Sequence, residues 1–498
     1  MLSRLLGPAT ARRNARQLGS AVGFLGVILS GVRTIYADDE IEHGDDAPEP
    51  LLRRLISDAA SRYRTPSEEP PSSKADSVLR KYEGSGVIKG DTGIARFDDI
   101  SVPCESIKCS ELAINSIKLS TGNSWTLFGL YDGRNGPHTS NYLGRVLLST
   151  ILDSLLSVYT KYTAQPDQHM PLEYSTIDAP PNEPLTNALD KSFIEAFLEV
   201  DRNVVESPVE ALPSNPSRSH AVSMLEVAQS TSSALVMLYD SDTRLLKVGL
   251  TGDSRAVLGR NIGRHSGRAV YNVHVLTTEQ DTNNQAELSR LRGLHPNENL
   301  MVDNRLLGRA TTLRSFGDAA LKWSNDVQQR LHEDYFGDRP LPGAKTPPYI
   351  TAEPEVTTFE VQPGDFLIMG SSGLWKSLTN EEAVGLVGVW LESQSNPFDE
   401  DNILRPPGDG QNDDEGQARI IRRDQLPIRL REDDTSMYSR WRTEKKFIAV
   451  DDNAATHLAR NALGGADRDL TDALLSVFPP FAARLRPDIS TIVVFFKD

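Results

Sequence analysis

Residues 125–136 read Trp125-Thr-Leu-Phe-Gly-Leu-Tyr-Asp-Gly-Arg-Asn-Gly136. The run Trp125–Tyr131 is apolar and aromatic and predicts a buried strand. Asp132-Gly133 and Asn135-Gly136 supply turn residues that end it. Beyond the turn, Leu143, Val146, Leu147, Ile151 and Leu155 recur at helical spacing and predict a helix over 142–159. The pattern strand, acidic glycine turn, helix is thus set within some 35 residues. The same alternation continues to the C-terminus. Ala234–Tyr239 and Leu245–Leu250 flank Asp240-Ser-Asp-Thr243, the pattern of a hairpin. Phe366–Met369 and Thr491–Phe496 predict two more buried strands.

The chain has 498 residues, 38% hydrophobic and 24% charged, which suits a soluble globular protein of one large domain with appendages. A net charge of −16 argues against a general nucleic-acid binder, which needs clustered Lys and Arg, and leaves open docking on basic partners. Two cysteines, Cys104 and Cys109, are too few for a disulfide framework or a four-thiolate zinc site. The first acidic residue is Asp38, preceded by Arg4, Arg12, Arg13, Arg16 and Arg33 without a single Lys. An arginine-rich, acid-free start predicts a mitochondrial targeting segment over 1–36. The apolar run Ala21–Val32 inside it is shorter than the ~20 residues that span a bilayer. It reads either as part of a cleaved leader or as a sorting signal with weak inner-membrane association, and a secretory signal remains a third reading. Residues 37–79 are acidic and then Pro/Ser-rich, the composition of a linker, although 51–63 has the makings of a short helix. The main domain is expected over 80–498, with a Pro/Gly/Asn/Asp-rich insertion near 396–416 expected to be disordered.

Five further motifs follow the Asp132-Gly133 turn in order. They are Leu250-Thr-Gly-Asp-Ser-Arg-Ala-Val257, Leu276-Thr-Thr-Glu-Gln-Asp281, Leu307–Asp318 with its Arg-Ser-Phe-Gly-Asp close, Phe366–Trp375 ending Ser-Ser-Gly-Leu-Trp, and Arg486-Pro-Asp-Ile-Ser490. Each is weak alone. Six in this order resemble the metal-dependent serine/threonine protein phosphatases of type 2C, the PPM family. Thr92–Asp98, Thr346–Pro354 and Asn453–Leu463 bring the resemblance nearest to the fungal mitochondrial branch related to pyruvate dehydrogenase phosphatase. The resemblance implies an α+β fold, a four-layer α-β-β-α sandwich of two antiparallel sheets flanked by helices. It also implies two Mg²⁺ or Mn²⁺ ions, and a phosphoprotein substrate or partner, a pyruvate dehydrogenase subunit being the nearest branch's candidate.

Phosphomonoester hydrolysis needs a strong nucleophile and relief of negative charge, which two ions ~4 Å apart supply by acidifying a bridging water and clamping phosphate oxygens. Such hard ions want carboxylate oxygens. By resemblance, Asp132 is the bridging ligand, Gly133 gives its carbonyl, and Asp253 survives as a further acidic position. Other positions depart from the pattern. Arg134 stands where the family has a His that acts as an acid, and Arg is a poor proton donor. Cys109-Ser110 stands where the family has Glu-Asp, with Glu111 one place late. Ser372 stands for an Asp, and Pro487 for another, with Asp488 next to it. Glu111 and Asp488 are therefore expected only as stand-in ligands, since a one-residue slip turns a strand side chain to the other face. Arg96 is a candidate phosphate contact, or an ordinary structural Arg. Two functions remain open: a mitochondrial protein phosphatase with a weakened metal site, or a catalytically inactive pseudophosphatase that binds a phosphoprotein or another partner.

Overall fold

The computed structural model describes residues 74–104, 109–163, 184–212, 217–394, 419–477 and 481–497. The expected leader, the helix over 51–63, most of the linker and the whole 396–416 insertion lie outside these residues. The body begins earlier than the composition suggests. Lys74–Tyr82 forms a helix, α1, whose Ala75 and Leu79 are buried in the core, so residues 74–79 belong to the folded domain and not to the linker.

Two six-stranded antiparallel sheets carry the fold. The strands used below are β1 (Glu83–Gly86), β2 (Ile94–Val102), β3 (Ser110–Lys118), β4 (Ser124–Arg134), β5 (Thr231–Asp240), β6 (Leu245–Thr251), β7 (Arg255–His265), β8 (Arg268–Val275), β9 (Glu355–Glu360), β10 (Phe366–Gly370) and β11 (Ile489–Phe496). The first sheet runs β1-β2-β11-β10-β7-β8. The second runs β9-β6-β5-β4-β3, with Phe316–Gly317 added beside the start of β5. The principal helices are α1, α2 (His138–Thr163), α3 (Leu185–Val205), α4 (Asn380–Ser393) and α5 (Ala454–Ala462).

The period-two alternation of strand side chains sorts the core into three layers. On β4, Phe128 and Leu130 point between the sheets. There they meet Phe97, Leu235, Met237, Leu367, Met369, Ile492 and Val494. Their neighbours Trp125, Leu127 and Tyr131 point the other way, against Leu143 and Leu147 of α2 and Phe193 of α3. On the first sheet, Ile368, Val493 and Phe495 face Val384 and Trp390 of α4 and Leu458 of α5. Burial on both faces explains why the central strands read as near-continuous apolar runs. The result is the four-layer α-β-β-α sandwich.

The hairpin turn at 241–244 pairs β5 with β6, Ala234 opposite Thr251. Capping is local where it occurs. Thr379 accepts from the Glu382 amide while the Glu382 carboxylate accepts from the Thr379 amide, so α4 starts at a closed capping box.

Candidate active site

One end of the sandwich gathers the polar groups. Register places them there. Ser110 lies opposite Asp132, Asp132 opposite Ser233, Ile489 opposite Val102, and Gly370 opposite Thr491. The last residues of β4, the first of β3 and β5, the turn after β6, the turn after β10 and the start of β11 therefore share one rim. The cleft they form has a volume of about 450 Å³. Asp132, Gly133, Arg134, Asp253, Ser372 and Asp488 line it.

Asp132 continues the face of Phe128 and Leu130, so its carboxylate points between the sheets. Ser110 faces it across the register and donates its hydroxyl to Asp132 Oδ1 at 3.0 Å. Gly133 is required by close packing. A Cβ there would lie 2.2 Å from the Cys109 carbonyl oxygen and 2.7 Å from Ser140 Oγ. The Gly133 amide donates to that same carbonyl at 3.1 Å, which holds β3 against the turn.

Asp253 sits in the turn between β6 and β7. Ser233 Oγ donates to its Oδ1 at 2.9 Å, and Arg134 Nη2 pairs with its Oδ2. The same Nη2 donates to Ser372 Oγ at 3.3 Å. Asp488 Oδ1 accepts from the Cys104 amide. The Asp488 carbonyl presses on Gly373, where a Cβ would lie 1.9 Å away, so the turn after β10 and the start of β11 are locked together.

The charges respond to this crowding. Burial pushes the Asp132 carboxyl up to about 6, against the pull of the Arg134 guanidinium and with added repulsion from Asp253 and Asp488. Burial acts on Asp253 the same way, but there the Arg134 guanidinium and the Ser233 hydroxyl outweigh it and hold the carboxyl below its ordinary range. Asp253 in turn, followed by Asp132, raises Arg134, so the guanidinium stays charged.

These residues do not fit a two-ion centre. Asp253 is occupied by a guanidinium. The group facing Asp132 is a serine hydroxyl. The Ser372 hydroxyl accepts from Arg134, and Pro487 offers no side-chain oxygen. Among the described residues, no cluster of three or more His, Cys, Asp or Glu has the placement to hold a metal ion.

Of the expected site residues, Asp132, Gly133, Asp253 and Asp488 meet in the cleft. Glu111 does not. It pairs with Tyr131 on the helix-facing side, and a Cβ at Gly144 of α2 would stand 3.3 Å from the Glu111 Cβ. Its one-residue displacement from the expected position puts it on the wrong face, so it is no stand-in ligand. Arg96 is also remote from the cleft. It is buried, donates to Asp98 Oδ1 at 2.7 Å and to the Asp452 carbonyl at 3.0 Å, and stacks on Trp390. It is a structural Arg, not a phosphate contact.

Lys376, Asp281, Asn283 and Asn304 also line the cleft and were not expected there. The Leu276–Asp281 motif was a signal for Asp281. Lys376 directly follows the Phe366–Trp375 motif, whereas nothing in the local sequence marks Asn304. Asp318 makes a loop contact, accepting from Arg309 Nε at 3.1 Å. His457 is packed within α5, where burial holds its pKa down to about 4.

The family described as Protein phosphatase 2C matches residues 91–403. A protein phosphatase 2C homolog of Schizosaccharomyces pombe is 36% identical over 427 residues, covering 84% of both chains. The mitochondrial pyruvate dehydrogenase (acetyl-transferring) phosphatase 1 of Saccharomyces cerevisiae is 32% identical over 450 residues, covering 86% of this chain and 73% of that one. The human mitochondrial pyruvate dehydrogenase (acetyl-transferring) phosphatase 1 is 32% identical over 324 residues, 62% of this chain and 55% of that protein.

Proposed function

The chain belongs to the protein phosphatase 2C family, with pyruvate dehydrogenase phosphatases among its relatives, and from that premise we propose that it is a mitochondrial pseudophosphatase, a partner-binding module on a phosphatase scaffold. The observation that carries this reading is the Arg134–Asp253 ion pair. The family is generally Mg²⁺- or Mn²⁺-dependent. Here a side chain takes one of the surviving carboxylates, and the group standing for the family's acid is a guanidinium that does not release a proton near neutral pH.

Charge supports the same reading. Among the described residues, four carboxylates, Asp132, Asp253, Asp281 and Asp488, line the cleft beside two cations, Arg134 and Lys376. Without bound cations, a phosphate dianion entering it meets net negative charge. Recognition is then carried by the protein surface around the cleft. The relatives' names point to a pyruvate dehydrogenase subunit as the partner to try first. The Arg-rich start of the chain and the relatives' mitochondrial location support the compartment.

One observation favours a second reading, a phosphatase working with a single ion. Asp132, Gly133 and Asp488 still share one cleft, in a chain that covers most of a phosphatase 2C homolog. Turnover separates the two. The protein is given a phosphothreonine peptide and excess Mn²⁺, beside an Asp132→Ala variant checked for folding. Equal, background-level release from both proteins is expected. Release by the parent that disappears in Asp132→Ala would overturn the pseudophosphatase.

A further inference from the structure

Arg134 is the last residue of β4, in the second sheet. Its Nη2 contacts Asp253, which follows β6 of the same sheet, and Ser372, which follows β10 of the other. A single guanidinium nitrogen therefore spans the rim between the two sheets. Asp132 lies two residues before it and adds to the attraction. Asp253 is well shielded, its side chain being 12% exposed, and the half-buried Arg134, 31% exposed, covers it from the cleft side. A buried carboxylate without a cation is strongly destabilising. In a two-ion site the ions meet that need, but here the donors for them are incomplete.

We infer that Arg134 is a built-in cation: it stands in for a divalent ion, neutralises Asp253, and ties the two sheets together at the rim. The chain thereby keeps the electrostatics of an occupied site without binding an ion. Asp253 is retained because the guanidinium needs a partner, while the Asp positions now held by Ser372 and Pro487 could be lost at no electrostatic cost. Ser372 suits the arrangement, since a neutral acceptor completes the guanidinium contact without adding negative charge.

The inference shares the Arg134–Asp253 pair with the proposed function, but the two fail in different measurements. Turnover tests that function, whereas ion binding and unfolding test this one. The full chain is unfolded thermally in EDTA and in millimolar Mn²⁺, beside Arg134→Gln and Arg134→Gln/Asp253→Asn. The parent is expected to melt at the same temperature in both buffers. Arg134→Gln is expected to melt several degrees lower in EDTA and to regain most of that loss in Mn²⁺. The double variant is expected to lose the Mn²⁺ response, because the carboxylate that calls for a cation is gone.

A Mn²⁺ titration of the parent followed by electron paramagnetic resonance needs no variant. The signal of hydrated Mn²⁺ is expected to keep its full amplitude at equimolar protein. Stoichiometric loss of that signal would overturn the inference. So would an Arg134→Gln melting temperature that stays at the parent value in EDTA, or one that falls and ignores Mn²⁺.

Discussion

Asp132 carries a cost that its surroundings make visible. Its carboxyl titrates near 6 in the fold, above its ordinary value, chiefly because burial disfavours the charged form. A raised folded-state value means that the folded protein binds the proton more tightly than the unfolded chain. The carboxyl then contributes fully to stability below its unfolded value, and that contribution is lost as pH rises through about 6. Asp132→Asn should therefore stabilise the protein at pH 7.5 by roughly 1–3 kcal/mol, a gain that shrinks towards zero near pH 4. Denaturant titrations at the two pH values measure it. A gain that grows on acidification would contradict the assignment. The Arg134 guanidinium and the Ser110 hydroxyl temper this cost without cancelling it.

At the scale of elements, alternation along β3 and β4 decides who faces whom. Asp132 and Ser110 face the gap between the sheets, while Tyr131 and Glu111 face α2. The same logic recasts Arg96. On β2 it pairs with Asp98, whose second oxygen accepts from the Ala454 amide at the N-terminus of α5 at 2.7 Å. The carboxylate at a helix start is favoured by the exposed amides there, and Arg96 balances its charge. Arg96→Ala removes one partner of a buried pair and leaves Asp98 uncompensated. It should lower unfolding stability by about 3–5 kcal/mol and leave the affinity for any protein partner of the folded state unchanged. A titration midpoint equal to the parent's would show that Arg96 is not part of the scaffold.

For the whole molecule, the mitochondrial address expected in residues 1–36 is testable apart from the sandwich. Residues 1–36 fused to a fluorescent reporter should direct it to mitochondria, and replacing Arg4, Arg12, Arg13 and Arg16 by Gln should leave it in the cytosol, as fractionation or microscopy would show. A reporter that stays mitochondrial without those charges would place the address elsewhere. Much of the sandwich was legible in the chain: the buried strands, the hairpin at Asp240–Thr243 and the helix after the Asp132-Gly133 turn follow from local periodicity and turn chemistry, while the six ordered motifs spoke only through the family they resemble. The departures at Ser372 and Pro487 were legible only beside the pattern of the family that the chain resembles, since a Ser or a Pro alone does not mark a missing carboxylate. Local patterns did not show that Lys74–Leu79 belongs to the body, since a short amphipathic helix beside a linker is defined only by what it packs on. They also did not show that Arg134 reaches Asp253, 119 residues away, and Ser372, 238 residues away. Sequence by itself determined the buried strands, the turns and which residues stand in the site motifs. Tertiary structure alone decided that Arg134 meets Asp253 and Ser372, because charge pairing acts through space, between side chains whose meeting depends on the closure of two sheets and not on their separation along the chain.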